Sequence, residues 1–294
     1  MSLFVVQGTM EQGLMYAIMV LGVYLSFRVL NYADLTVDGS FTLGAATVAA
    51  LITAGFNPWF ATAVAFFNGC LAGTVTGMLH TKFRITPLLS GILTMTALYS
   101  INLRIMGKAN ISLLRTRTVF TDFTSLPFLD KYGVLLLSLL VVFVIGILVY
   151  IFLQTEFGLA LRATGDNQVM ICSLGVNTNL TKNIGLALSN GFIALSGSLV
   201  AQNQLFADIS MGIGMLVIGL ASVIIGEVLI GTSSIGRTIA AVLIGGVIYR
   251  FIIAIVLQLG LEATDLKLVT ALIVVIALVS PGIKRTINLS VKNE

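Results

Sequence analysis

Apolar runs of roughly 20 residues alternate with short polar connections along nearly the whole chain. They fall at 12–30, 35–55, 58–80, 87–106, 133–154, 183–203, 213–231, 237–258 and 266–283. A bilayer core about 30 Å thick demands about 20 apolar residues of a helix that spans it. Backbone inside lipid must satisfy its own hydrogen bonds, which leaves helices or a closed barrel. Barrel strands read as alternating stretches of about ten residues, and these runs are longer and continuous. The pattern predicts an all-α polytopic membrane bundle of about nine crossings, eight to ten allowing for one miscounted segment, in a single domain over residues 1–294.

Two polar intervals interrupt this rhythm. The first, 107–132, mixes Lys108, Arg115, Arg117 and Asp122 with Phe120, Phe123, Pro127 and Phe128. It fits a short surface helix, a docking surface or an interfacial snorkelling segment equally well. The second, 155–182, carries Phe157, Leu159, Leu161 and Ala163 before Gly165-Asp166-Asn167, then Val169, Met170, Ile171 and Leu174. Apolar positions on both sides of a Gly/Asx turn predict a compact helical hairpin with something to dock against. Its expected contact core is Leu161, Arg162, Ala163, Thr164, Gly165, Asp166 and Asn167.

Composition reinforces the class: 57% of residues are hydrophobic and 10% charged, with a mean hydropathy of +1.06. The net charge of +4 is here an orientation signal and not a nucleic-acid signal, because lysine and arginine favour cytoplasmic loops. With the N-terminus outside, nine basic residues fall inside: Arg28, Lys82, Arg84, Arg162, Lys182, Arg237, Lys284, Arg285 and Lys292. Six fall outside (Arg104, Lys108, Arg115, Arg117, Lys131 and Lys267), and Arg250 is ambiguous. The odd crossing count and a cytoplasmic C-terminus agree. The start lacks the basic-then-apolar pattern of a cleaved signal, so the first run reads as a retained helix.

Polar groups in apolar surroundings are the candidates for a solute pathway: Asn31, Tyr32, Asp34, Asp38, Asn68 and Asn190. The stretch from Asn31 to Ser40 has two readings. Asp34 could cap a helix at the membrane surface, or Gly39 could break a half-helix that lines a cavity. Gly69, Gly73 and Gly77 form a doubled small-xxx-small pattern and predict close helix packing. Glu227 reads either as a pathway acid or as an inner helix end. Cys70 and Cys172 fit no metal or disulfide spacing. The sole histidine, His80, sits at a helix end; no HExxH, GxSxG or GxxxxGK[ST] occurs, so zinc-protease, serine-hydrolase and Walker-loop chemistry lack their motifs. Work driven by ATP therefore needs a separate subunit.

The residues that carry a resemblance are now in view. Phe157-Gly158-Leu159-Ala160-Leu161-Arg162-Ala163-Thr164-Gly165-Asp166-Asn167, closed by Leu174-Gly175-Val176, is similar to the cytoplasmic loop of ATP-binding-cassette importer permeases of the branched-chain amino acid and ribose type. Ile171-Cys172 departs from that loop, where an alanine is common. Asn31-Tyr32-Ala33-Asp34-Leu35-Thr36-Val37-Asp38-Gly39 resembles a bacterial subgroup described as tryptophan or tyrosine permeases. The resemblance implies a type II-like permease bundle in the bacterial cytoplasmic (inner) membrane with a cytoplasmic coupling helix. It further implies a pore formed with a second copy of the chain, and partner ATPase subunits that carry the ATP and Mg. An extracytoplasmic binding lipoprotein would dock on loops including 107–132 and 204–212. The rival is an ion- or proton-coupled secondary transporter, which would want a charged residue at the midplane; the acids here cluster towards helix ends.

Overall fold

The computed structural model describes residues 3–124, 132–260, 268–272 and 275. In chain order its elements are α1 (Leu3–Val23), a π-helical turn (Tyr24–Val29), α2 (Val37–Thr53), α3 (Pro58–Thr81), α4 (Pro87–Met106), β1 (Asn110–Ser112), α5 (Val119–Thr124) and α6 (Gly133–Gln154). There follow α7 (Glu156–Asp166), α8 (Gln168–Ser173), α9 (Thr178–Gln204), β2 (Phe206–Asp208), α10 (Met215–Ile230) and α11 (Ile235–Gln258). Among the described residues six helices are long and apolar enough to cross a membrane: Phe4–Val29, α3, α4, α6, α9 and α11; α2 and α10 are apolar but shorter. Most of the ninth predicted run, 266–283, lies outside the described residues, as do Lys284, Arg285 and Lys292.

Local chemistry sets the helix starts. Pro58 opens α3, where the Asn57 side chain accepts from the Trp59 amide at 2.9 Å, and Pro87 opens α4. Proline suits a first turn because its missing N–H would be unbonded there in any case. Gly107, at φ +67°, closes α4 with the left-handed conformation that suits glycine.

α9 is the axis of the bundle. Gly69, Gly73 and Gly77 all turn towards it: a Cβ at these positions would strike the Asn190 carbonyl oxygen, the Leu186 carbonyl oxygen and the Asn183 amide oxygen. On α2, Gly44 abuts the Ala194 carbonyl, while Gly197 of α9 abuts Phe41. Towards α1, Ser189 donates to the Gly22 carbonyl (2.7 Å) and Ser196 to the Met15 carbonyl (2.8 Å). Small residues let backbones approach, and serines then bond across the gap, as membrane packing requires. α10 and α11 meet in the same way, with Gly226 against the Ala241 carbonyl and Gly245 against that of Ser222. Replacing Gly73 with leucine is expected to cost about 3 kcal/mol or more, the upper range for overpacking, because it meets backbone that cannot rotate aside. Thermal unfolding of the purified chain checks this; an unchanged midpoint would contradict the α3–α9 packing.

The outer faces differ. α6 exposes only large apolar residues along its middle, among them Leu140, Phe143, Ile147 and Ile151, as a lipid-facing helix should. α4 exposes Thr96, Tyr99 and Ser100 in the middle of an otherwise apolar surface that includes Leu88, Leu89, Ile92, Leu93, Ile101 and Ile105.

The loops sort to two ends. At one, Arg28 and Glu227 form an ion pair (2.8 Å), and Lys182 lies 3.3 Å from His80. This gathers the end of α1, the α3–α4 connection, the α7–α8 hairpin and the end of α10. Glu227 is thus an ion-paired helix end. At the other end β1 pairs antiparallel with β2, Asn110 opposite Asp208, which joins the loops after α4 and α9. In that first loop Val119 and Phe120 are buried in the main core, so this part is a packed helical turn and no snorkelling segment; Pro127, Phe128 and Lys131 lie outside the described residues. Arg250 turns inward, its guanidinium 4.3 Å over the Tyr16 ring and 2.6 Å from the Gln12 amide oxygen.

Candidate coupling hairpin and solute pathway

The hairpin consists of two helices that meet at Asn167, and Gly165 lies inside the first of them. Asn167 has extended φ/ψ (−148°, 93°), and its side chain caps α8 by accepting from the Met170 amide at 3.0 Å. Gly165 is required for another reason. Its backbone lies against the Val29 carbonyl oxygen, where a Cβ would collide. The seven expected contact residues therefore divide between two faces. Leu161 and Thr164 are buried, Ala163 and Gly165 half-buried, and Arg162, Asp166 and Asn167 exposed. The exposed apolar residues are instead Leu159, Val169, Met170 and Leu174, each at least 60% exposed, an apolar patch on a polar element. Leu161 points inward to Gly185 of α9, beside Leu30.

The inner face of α7 thus rests on Val29 and Leu30, where α1 loses its regular winding. The π turn spans Tyr24–Val29, and Asn31 follows at φ +51°. Such turns often mark functional positions within helices. Asn31 is exposed and borders a cavity of about 650 Å³ shared with Arg28, Arg162 and Asp166.

Past Asn31 the chain runs irregularly to Thr36 among buried polar partners. Asp34 is 1% exposed; one carboxylate oxygen accepts from the Thr36 amide (2.9 Å), the other from the Asn190 amide (2.7 Å). Asn190 in turn accepts from the Ser40 hydroxyl at 2.6 Å. Thr36 and Thr76 share a 2.8 Å hydroxyl contact. Tyr32 bonds Ser90 (2.6 Å) and meets His80 edge-on. The surface-cap reading of Asp34 does not hold, because its side chain is inside the bundle. Nor does Gly39 break a helix: it sits within α2, and the break precedes it. Helix-breaking backbone is tolerated at such depth where protein groups satisfy it, as they do here.

A second break faces the first. Between β2 and α10 the chain passes through 209–214, and α10 starts beside the head of α2. Both Asp38 oxygens accept from that start, the Gly214 and Leu216 amides each at 2.9 Å. A carboxylate at a helix N-terminus complements unpaired amides and the helix dipole. Asn68 stands apart, donating to the Thr47 hydroxyl (3.2 Å) beside an apolar groove between α3 and α4. The structure therefore brings Asp34 and Asn190 together, with Tyr32 close by, and separates Asn68 and Asn31 from them.

Sequence reasoning singled out the 31–40 stretch but left its Thr36 and Ser40 out of the pathway set, and it passed over Thr76 and the buried pair Gln202–Thr62 (2.9 Å). Each is a hydroxyl or amide within an apolar run, and that mismatch was the available signal. It also passed over the bridge at the hairpin end. His80 Nδ1 donates to the Ile85 carbonyl (2.8 Å), leaving Nε2 to accept from Lys182, which also donates to Gln168 of α8 at 2.7 Å.

A helical membrane bundle with two broken helices meeting inside it, polar groups satisfied at the breaks, and one polar hairpin at one end has the architecture of a multi-pass membrane permease. The chain belongs to the family described as branched-chain amino acid transport system / permease component, whose pattern it matches over residues 6–279. It is 47% identical over 283 residues to a tyrosine transport system permease protein of Clostridioides difficile, covering 96% of this chain and 92% of the relative. An uncharacterized protein of Rickettsia prowazekii is 36% identical over 92% of this chain and 95% of its own length. A ribose import permease protein of Haemophilus influenzae is 24% identical over 84% of this chain and 76% of the relative. No solved structure matches. The chain is thus an importer permease of the branched-chain amino acid and ribose type, with multiple membrane helices.

Proposed function

We propose that this chain is the pore-forming subunit of an ATP-binding-cassette importer for an amino acid with an aromatic side chain. The observation that carries the reading is the two-faced hairpin: α7 rests on the π turn while α8 offers an unpartnered apolar patch at the same end. The relative named for tyrosine transport supports the solute class. In this reading ATPase subunits seat the exposed side of the hairpin, centred on Val169 and Met170. Their closure on ATP shifts α7 against Val29 and Leu30, and so biases the irregular Asn31–Thr36 segment between two states. A ligand shifts such an equilibrium only by its differential affinity for the states, so ATP must bind the closed dimer better.

Further parts of the reading follow from it. The hairpin end is cytoplasmic, the β1–β2 end faces outward and receives a binding protein, and a second copy completes the pore. Reconstitution tests the whole. The chain with its ATPase and binding protein in liposomes is expected to accumulate labelled L-tyrosine only when ATP is supplied. Accumulation by the purified chain alone, driven by a proton gradient, would sink the importer reading in favour of a secondary transporter.

A further inference from the structure

At the hairpin end three helices are joined through one lysine. Lys182, in the second turn of α9, donates to Gln168 Oε1 of α8 at 2.7 Å and to His80 Nε2, at the end of α3, at 3.3 Å. An ammonium only donates and a carbonyl only accepts. Lys182 and the Ile85 carbonyl (2.8 Å) together therefore hold the imidazole neutral, with its one hydrogen on Nδ1. The ring stands edge-on to Tyr32, centroids 5.2 Å apart at 71°. Tyr32 is buried, and its hydroxyl meets that of Ser90 on α4. Contacts thus run from α8 into the irregular segment whose approach, Val29 and Leu30, is touched by α7. The charges around the imidazole are mostly positive: Lys182 from α9, and exposed Lys82 and Arg84 on its own connection. Asp34, beyond Tyr32, has its oxygens engaged by the Thr36 and Asn190 amides. α8 and the first turns of α4 carry no charge. Neither His80 nor Lys182 has a carboxylate partner among the described residues.

We infer that the Lys182–His80 contact is a proton-sensitive latch in the coupling, carrying motion of α8 to Tyr32 while the imidazole is neutral and releasing when it takes a proton. The inference rests on the importer reading and adds a second, regulated link to the one through α7. The proton goes to Nε2, which holds the free lone pair of the ring, and no covalent bond breaks. It replaces a hydrogen bond with two like charges in contact, both half-buried, with no acid to separate them. Lys182 is the partner that leaves, because its ammonium rides on a flexible four-carbon stem and exposed Gln168 beside it marks the way to solvent. As it swings out, Gln168 loses its donor and keeps a 3.4 Å contact with the Thr178 hydroxyl. The neutral ring makes the bond, so the latch is closed on the alkaline side of the histidine titration and opens as pH falls through it. Histidine is the side chain that in general changes charge between about pH 5 and 8. Acid at the hairpin end therefore slows import.

The test uses the full complex in liposomes with the hairpin end inward and ATP and Mg inside. Labelled L-tyrosine and the binding protein are outside at fixed pH. The readout is uptake per ATP hydrolysed, with the lumen buffered at about pH 8 or about pH 6, which brackets the histidine range. In the native complex this ratio is expected to fall at least about fivefold at the lower pH, the small end of coupling between sites. His80→Gln offers Lys182 an amide oxygen that takes no proton, and is expected to give the same ratio at both pH values. Lys182→Arg keeps the cation and is expected to keep the fall. Lys182→Met removes it, and is expected to lower the ratio at both pH values with no fall between them. A bridge that only holds the fold together would leave every variant with the native pH profile. An equal fall in the native and His80→Gln complexes, or none in the native complex, overturns the latch. If His80→Gln does not fold, the lysine pair decides: equal falls in the arginine and methionine variants overturn it. ATP-driven uptake without these differences discards the latch and leaves the importer, and no ATP-driven uptake at either pH discards both.

Discussion

Gly165→Val is expected to leave the protein folded and membrane-inserted while abolishing solute transport. The added branch would enter the space held by the Val29 carbonyl oxygen, with Leu30 backbone beside it. Neither group can rotate away, so α7 must lift from the π turn. The strain is expected to cost about 1–3 kcal/mol, within the overpacking range, which a large bundle centred on α9 tolerates. In the proposed coupling, motion passes from the hairpin to Asn31–Thr36 through this close contact on Val29 and Leu30, so the link is not tolerant in that way. Transport in reconstituted liposomes should fall at least tenfold while ATP hydrolysis by the partner subunits persists. Gly165→Ala should show the same effect in milder form. Wild-type uptake by the valine variant would mean that the α7–Val29 contact transmits nothing.

Asp34→Ala is expected to be the most destabilising change at any charged residue of the described chain. Hydrogen bonds to a charged group contribute about 1.5–3 kcal/mol each, and Asp34 accepts two from inside the bundle. Removing the buried charge recovers part of that, so the net loss should be about 3 kcal/mol, read as a fall of several degrees in thermal unfolding. Asp34→Asn separates hydrogen bonding from charge. An asparagine can still accept from the Thr36 amide, but its own amide would face the Asn190 amide, which cannot turn over without losing its donation to the Leu186 carbonyl at 3.0 Å. The asparagine variant should therefore lose about 1–2 kcal/mol, the cost of one buried polar contact left unmade, and stay more stable than the alanine variant. Equal destabilisation by both substitutions would show that the negative charge itself organises the site.

Much of this architecture was legible in the sequence because lipid imposes a coarse, strong rule. The runs at 58–80, 87–106 and 133–154 end within a residue of α3, α4 and α6, where Pro58, Pro87 and the polar residues after Gln154 punctuate them. Depth was not legible. α2 and α10 have apolar compositions like those of crossing helices, yet both start inside the bundle, and only the tertiary pairing of Asp38 with the head of α10 makes that visible. Gly165 misled for a physical reason: a glycine needed for a turn and one needed for close approach look identical in sequence. The true break needed only Asn167, an N-cap whose side chain replaces a backbone acceptor. The doubled pattern at Gly69, Gly73 and Gly77 announced a close contact but not its partner, since nothing local identifies α9. Asn102 of α4 was passed over because a lone amide in an apolar helix looks harmless until its carbonyl oxygen is found buried with no partner among the described residues.

The central claim is that the hairpin seats an ATP-hydrolysing partner on its outer face. A photo-activatable residue at Met170, which is 62% exposed, reports on that face directly in native membranes. The account predicts a crosslink to a Walker-type ATPase from position 170, and none from position 161, where Leu161 is fully buried. A chain that still transports its solute while position 170 captures no ATPase would contradict it.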